Sequence, residues 1–230
     1  MAVVLHGGFW RAPRSHRYMR PLCADLARAG WAAWNVEYRR VGRGQGGGWP
    51  ETFLDVAARI DALTEVDAAL DLDRVAAIGH SAGGHLALWA AARGGLPGGA
   101  PGARPRVPIG AGVAALGAVS DLEAAPSLTE PGGAVHGLMH ASPADAPDDR
   151  YELANPVRRL PLGSPVLLLH GDADETVPVR RSREFAERAR AAGDDVTLIE
   201  LLGAGHRPVI DPRRPEWREV IEWLRAVSAR

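Results

Sequence analysis

Short apolar runs closed by Gly, Asn or Asp recur along the chain, and longer stretches with helical apolar spacing lie between them. That alternation is how a parallel sheet with crossover helices reads, and it predicts an α/β protein with helices on both faces of the sheet. Strands are predicted over Ala2 to Leu5, Ala32 to Val36, Val75 to Ile78, Gly112 to Val119, Pro165 to Leu169 and Val196 to Leu201. Pro50 can open a helix at its first turn, and Phe53, Val56, Ala57, Ile60 and Leu63 then form a stripe at helical spacing that should pack on the sheet. Trp217, Val220, Ile221 and Leu224 repeat the pattern after Pro212 and Pro215, with Arg225 near the end, and predict a closing helix.

Two stretches break this rhythm. Gly94 to Pro108 crowds Gly, Pro and Ala together with no surviving period and reads as a surface loop. Ser120 to Pro161, between two predicted strands, is too long for a plain connection and predicts an inserted cap or lid. No internal repeat or composition shift marks a second domain, so residues 1–230 are expected to form one domain.

Composition narrows the classes of function. The 230 residues are 46% hydrophobic and carry 27 Arg plus Lys against 28 Asp plus Glu, a formal net charge of −1. Such a chain builds a sizeable core and offers no bulk field for nucleic acid or an anionic membrane. All 27 cations are arginine, which excludes lysine Schiff-base chemistry. The single Cys23 cannot form an internal disulfide and reads as packing in an amphipathic helix. Met1 to Leu5 is too short for a signal-peptide core and lacks a basic lead, and no apolar run reaches the roughly 18 residues of a membrane span. The cytoplasm is the expected compartment.

The chemistry concentrates in Gly79-His80-Ser81-Ala82-Gly83, which follows one predicted strand and precedes a helix-like run from Gly84 to Ala92. A G-x-S-x-G turn in that context packs glycines where a Cβ would not fit and lifts the Ser81 hydroxyl clear of the sheet. A serine hydroxyl is a weak nucleophile, so a histidine base and an acid to orient it must follow, in the chain order Ser, acid, His. Asp174, in the polar loop after Pro165 to Leu169, is the candidate acid. His206, after the glycine-rich Gly203-Ala204-Gly205, is the candidate base. The backbone N–H groups of Gly8 and Phe9, in the loop after the first strand, and of Ala82 are the candidate oxyanion donors.

These residues resemble the α/β-hydrolase superfamily, and within it the branch with an H-G-G oxyanion loop: kynurenine formamidase-like, esterase-like and prolyl-oligopeptidase-like serine hydrolases. The likeness runs through His6 to Trp10, Asn35 to Arg39, Gly79 to His85, His170 to Asp174 and Gly203 to His206, in order. The resemblance implies Asp174 as the acid, with Asp172 and Glu175 as runners-up, and makes His6 and His170 supporting residues. Members of these families carry two antiparallel strands before the H-G-G strand, whereas Met1 stands five residues before His6. The expected sheet therefore lacks those strands, and an exposed edge would lower stability or favour a homodimer.

Other residues admit two readings. Trp10 and Trp49, in loops near strand ends, are candidate substrate-binding residues or core aromatics. His80, beside the nucleophile turn, is a candidate for packing and pocket shaping, with proton transfer as the alternative, and Met139 in the insertion is a candidate for pocket lining under the cap, with an incidental apolar residue of a mobile cap as the alternative. His136 and His140 have zinc-like spacing, but Gly137 stands where a metalloprotease has its Glu and no third ligand is evident. Gly44 to Gly48 lacks the Lys of a phosphate loop. Arg39 and Arg40 read as a structural pair or as a hold on a substrate carboxylate. The sequence thus predicts a cofactor-independent serine hydrolase acting on small to medium carboxylic esters. The alternatives are an arylformamidase, a small peptidase and a noncatalytic binding scaffold, the substrate being a small-molecule ester or amide in the first three cases.

Overall fold

Six strands, β1 (Ala2–Leu5), β2 (Ala33–Val36), β3 (Ala76–His80), β4 (Gly112–Leu116), β5 (Val166–Gly171) and β6 (Val196–Leu201), form one sheet in the order β2-β1-β3-β4-β5-β6 in the computed structural model. The structure describes residues 1–124 and 126–229. Ala125, inside the predicted insertion, and Arg230, at the end of the predicted domain, lie outside the described residues. Every neighbouring pair of strands runs parallel. The predicted strand positions hold, with differences at their ends. β3 continues through Gly79 and His80, and β5 through His170 and Gly171, because these residues stay in register with Ala115, Leu116, Glu200 and Leu201. β4 stops at Leu116 rather than Val119, since Gly117 adopts φ 51° and turns the chain out of the ladder.

The helices are α1 (Arg20–Arg28), α2 (Glu51–Asp61), α3 (Ala82–Ala92), α4 (Pro126–Thr129), α5 (Ala134–Met139), α6 (Arg150–Ala154), α7 (Arg180–Ala191) and α8 (Glu216–Ser228). Alternate side chains of each strand serve the two faces. Val3 and Leu5 join the core with α2, α3 and α7, while Ala2 and Val4 join the one with α1 and α8. The predicted stripe of α2 is buried from Phe53 to Ile60 and continues to Leu63 in the following 3-10 turn, and Trp217, Val220, Ile221 and Leu224 of α8 are buried as well. α3 has no polar face, because every residue from Ala82 to Ala90 is buried. Cys23 is half-buried, and burial pushes its thiol up to about 11, which leaves it unreactive near neutrality.

The segment between β4 and β5 holds α4, α5 and α6 and is fastened to the body rather than set apart from it. Val135, Leu138 and Met139 are buried in the α3-side core. The Trp49 amide donates to the Leu138 carbonyl at 2.7 Å, and the Trp89 indole to Leu153 at 3.2 Å. Among the described residues, no helix is long and apolar enough to cross a membrane.

Strand order decides where a site can form. From β1 the chain passes to β2 on one side and then to β3 on the other, so the crossovers diverge at the carboxyl ends of β1 and β3. A crevice opens at such a switch point. The loop starting at His6 and the turn carrying Ser81 both emerge there.

Candidate active site

Ser81 occupies φ 56°, ψ −119°, at the N-cap of α3. A non-glycine residue in that region costs about 1–3 kcal/mol and persists only where its surroundings hold it. Here the Ser81 amide donates to Leu116 at 2.9 Å, and the Ser81 carbonyl accepts from His85 at 3.1 Å and Val119 at 3.3 Å. The flanking glycines are required by close approach: a Cβ on Gly79 would stand 2.1 Å from the Gly83 carbonyl oxygen, and one on Gly83 2.2 Å from that of Leu5. Gly83→Ala therefore pushes α3 off β1, and a loss of about 1–3 kcal/mol is expected, a fall in Tm of roughly 2–10 °C for a chain of this size. Thermal melting checks this against Gly94→Ala, where an added Cβ meets nothing within 4 Å and no comparable fall is expected.

Asp174 and His206 come from the loops after β5 and β6. The His206 Nδ1–H donates to Asp174 Oδ2 at 2.6 Å, so Nε2 is left as the acceptor. Asp174 Oδ1 takes the amides of Thr176 at 2.8 Å and Val177 at 2.9 Å. Burial alone would raise the Asp174 carboxyl, yet hydrogen bonds from His170, His206 and the Val177 amide outweigh it and hold the group far below the usual carboxylate range. The two loops are bonded to each other: Ala173 donates to the Ala204 carbonyl at 3.0 Å, and Gly203 to Asp172 Oδ1 at 2.6 Å. Asp172 is thus occupied as a loop brace, and Glu175 is exposed, so of the three acids only Asp174 meets His206.

His80 lies inside the site without being a free pocket wall. It is buried, and its Nε2–H donates to the His206 carbonyl at 3.0 Å, with the two rings 4.6 Å apart. Burial, and then repulsion from His206, lower its pKa to about 3, which keeps the ring neutral. His170 is fully buried between Ser182 Oγ and the Val177 carbonyl, each at 2.7 Å, and braces the acid loop. His6 stacks on Tyr38 at 4.3 Å and lies 3.0 Å from Glu37 Oε1, while the Tyr38 hydroxyl donates to the His6 carbonyl at 2.7 Å. That clamp holds the start of the Gly7 to Phe9 loop.

A cleft of about 370 Å³ runs between Gly8 and Phe9 on one side, Ser81 at its floor and His206 on the other. Ala82, the third candidate oxyanion donor, begins α3, where a helix N–H has no intrahelical partner. Three of the four candidate substrate-binding residues sit elsewhere. Trp10 is fully buried and meets His85 edge-on at 5.2 Å, Trp49 packs edge-on against Phe53 at 5.0 Å, and Met139 is fully buried. Each is apolar and adjoins the α3-side core, so burial there outweighs a place on a wet wall. Arg39 is taken by Asp55, 2.8 Å away, and Arg40 lies near Glu37. Among the described residues, no group of histidines, cysteines and carboxylates could hold a metal.

The cleft walls also hold Arg11, Arg14, Tyr18, Thr176 and Arg207, none of which the sequence reading singled out as lining. For Arg207 the signal was present, since it follows His206 directly. Tyr18 and Arg14 precede α1, where no motif marks them. Among the described residues, none from the 120–161 segment lines this cleft.

Residues 1–189 match the BD-FAE family. Esterase LipQ of Mycobacterium tuberculosis is 29% identical over 210 residues, an alignment covering 89% of this chain and 49% of LipQ. The probable carboxylic ester hydrolase LipM of the same organism is 30% identical over 216 residues, covering 87% of this chain and 47% of LipM. The chain thus spans about half the length of the curated relatives it matches. Among solved structures, a truncated carbohydrate esterase from gut microbiota superposes with a TM-score of 0.83 at 21% identity, covering 100% of this chain and 86% of that one. Esterase Est2 of Thermogutta terrifontis gives 0.75 at 24% identity, covering 98% and 79%. With the parallel sheet, these likenesses give the chain the α/β-hydrolase fold.

Proposed function

Because the chain belongs to the BD-FAE family, we propose that it is a serine hydrolase cleaving small to medium carboxylic esters. The observation that carries this reading is the meeting, in one cleft, of a strained Ser81 with a His206 whose Nδ1–H is bonded to Asp174 at 2.6 Å. In the proposed reaction His206 Nε2 takes the Ser81 proton as Oγ attacks the ester carbonyl, and the Gly8, Phe9 and Ala82 N–H groups stabilise the oxyanion. His206 then protonates the departing alcohol, and water hydrolyses the acyl-enzyme by the same steps in reverse order. The names of LipQ and LipM favour an ester over the N-formyl amide of an arylformamidase.

Intact-mass analysis after a fluorophosphonate probe tests the activated serine without a choice of substrate. One label per chain, mapped to Ser81 and absent from Ser81→Ala, is the expected result. Folded protein that takes no label would replace this reading with a noncatalytic scaffold. Turnover of 4-nitrophenyl butyrate beside N-formylkynurenine then separates ester from formamide specificity. A cytoplasmic location is part of the proposal, as is a homodimer joined at β2, the edge strand on the β1 side of the sheet. Light scattering at the mass of a single 24.4 kDa chain would remove the dimer.

A further inference from the structure

The charge around the cleft is one-sided. Arg11, Arg14 and Arg207 line it, and among the described residues lining it there is no Asp or Glu, although the chain carries 28 of them. Arg11 is engaged, donating to the Gly132 and Gly133 carbonyls at 2.8 and 2.7 Å. Arg14 and Arg207 are different: both are exposed, and among the described residues no carboxylate pairs with either guanidinium. Arg14 lies over the Tyr18 ring, 5.3 Å from its centroid, and its stem passes so close to Gly8 that a Cβ there would stand 2.5 Å from it. Burial raises the pKa of the Tyr18 hydroxyl, and Arg207, which lines the same cleft, and Arg14 both pull it the other way.

A second groove, of about 670 Å³, continues from the cleft and shares Tyr18 and Arg207 with it. Its other arginines are neutralised in place, Arg28 by Asp25 at 3.3 Å and Arg213 by Asp211 at 2.8 Å. Among the described lining residues, Arg207 is thus the cation without a carboxylate partner that the two cavities share, and Arg14 stands in the cleft alone. The proposed chemistry fixes which half of the substrate lies beside His206. His206 must deliver its proton to the leaving oxygen, so the alcohol lies against His206, in the cleft whose walls Arg207 and Arg14 also line.

Resting on the esterase reading, we propose that the preferred ester carries a carboxylate on its alcohol portion, which Arg207 and Arg14 bind over Tyr18. A guanidinium offers a planar, permanently charged fork suited to a carboxylate, and two of them set specificity through charge without touching the reacting bond.

The test compares kcat/KM for 4-acetoxybenzoate and its neutral counterpart 4-acetoxybenzamide, in the wild type and in Arg14→Gln/Arg207→Gln. Both positions are exposed, and thermal melting verifies that the variant is folded. The acid-to-amide ratio is expected to fall about tenfold in the double variant, and to fall in the wild type as salt is raised. A second pair, 4-nitrophenyl hemisuccinate and 4-nitrophenyl butyrate, places the charge on the acyl side, where the ratio should move less than twofold. An unchanged ratio in the first pair overturns the proposal, and a tenfold change confined to the second pair overturns the assignment to the alcohol side. A wild type that hydrolyses none of the four esters would instead overturn the esterase reading beneath it, and hydrolysis that survives Ser81→Ala would overturn the nucleophile assigned there.

Discussion

Ser81→Ala lowers kcat for 4-nitrophenyl butyrate by about a million-fold, while its melting temperature stays at or above that of the wild type. The kinetic loss is that of removing the attacking oxygen from residues that act as a unit. The stability follows from position. Ser81 sits at the tip of a turn whose backbone is fixed by the bonds to Leu116, His85 and Val119, none of which uses the hydroxyl. Alanine carries the same left-handed strain at φ 56°, and among the described residues no side chain is hydrogen-bonded to the hydroxyl that it removes. Stopped assays with purified variant and differential scanning calorimetry check the two halves separately. Activity within a hundredfold of the wild type would show that Ser81 is not the nucleophile.

Asp174→Asn is expected to cost about ten-thousand-fold in kcat, for a reason the hydrogen bonds specify. The Thr176 and Val177 amides both point at Oδ1, so the asparagine must place its carbonyl oxygen there. Its NH2 group then takes the place of Oδ2, facing His206 Nδ1 at 2.6 Å and His170 Nε2 at 3.2 Å. A donor in that place stabilises the wrong His206 tautomer, with the proton on Nε2, where it cannot accept from Ser81. The change also removes a carboxylate whose folded pKa lies below the unfolded value. Such a group contributes stability that is full above the ordinary carboxylate range, about pH 4, and is lost as pH falls through the folded pKa. The wild type should therefore melt higher than Asp174→Asn at pH 6, and the gap should close at pH values well below 4. A constant gap down to the lowest pH would rule out that linkage.

The sequence disclosed most where steric or chemical demands are local. The β1 and β6 boundaries follow from apolar runs ended by His6 and by Leu202-Gly203, and the nucleophile turn follows from glycines that no other residue can replace at Gly79 and Gly83. Asp174 is legible through its loop, and the resemblance already ranks it above Asp172; the three-dimensional path adds the physical reason, since Asp172 is bonded to the Gly203 amide. The inward placement of Trp10 and Trp49 is not legible in the sequence, for one shared reason. Proximity in sequence to a strand end does not say whether a side chain turns toward the cleft or the core, and α3, buried along its whole length, draws apolar neighbours inward. Tyr18 and Arg14 escaped notice because they reach the cleft through a loop whose spacing carries no period.

The mutual bracing of the acid and base loops bears on the entropy of turnover. His206 is fixed at its ring by Asp174 and at its carbonyl by His80, and its loop is joined to the acid loop through Ala204 and Gly203. The rotamer freedom of the imidazole is therefore surrendered once, when the chain folds, and not again each time an ester arrives. The proton carrier begins every cycle already aimed, and the ordering that remains falls on the substrate alone.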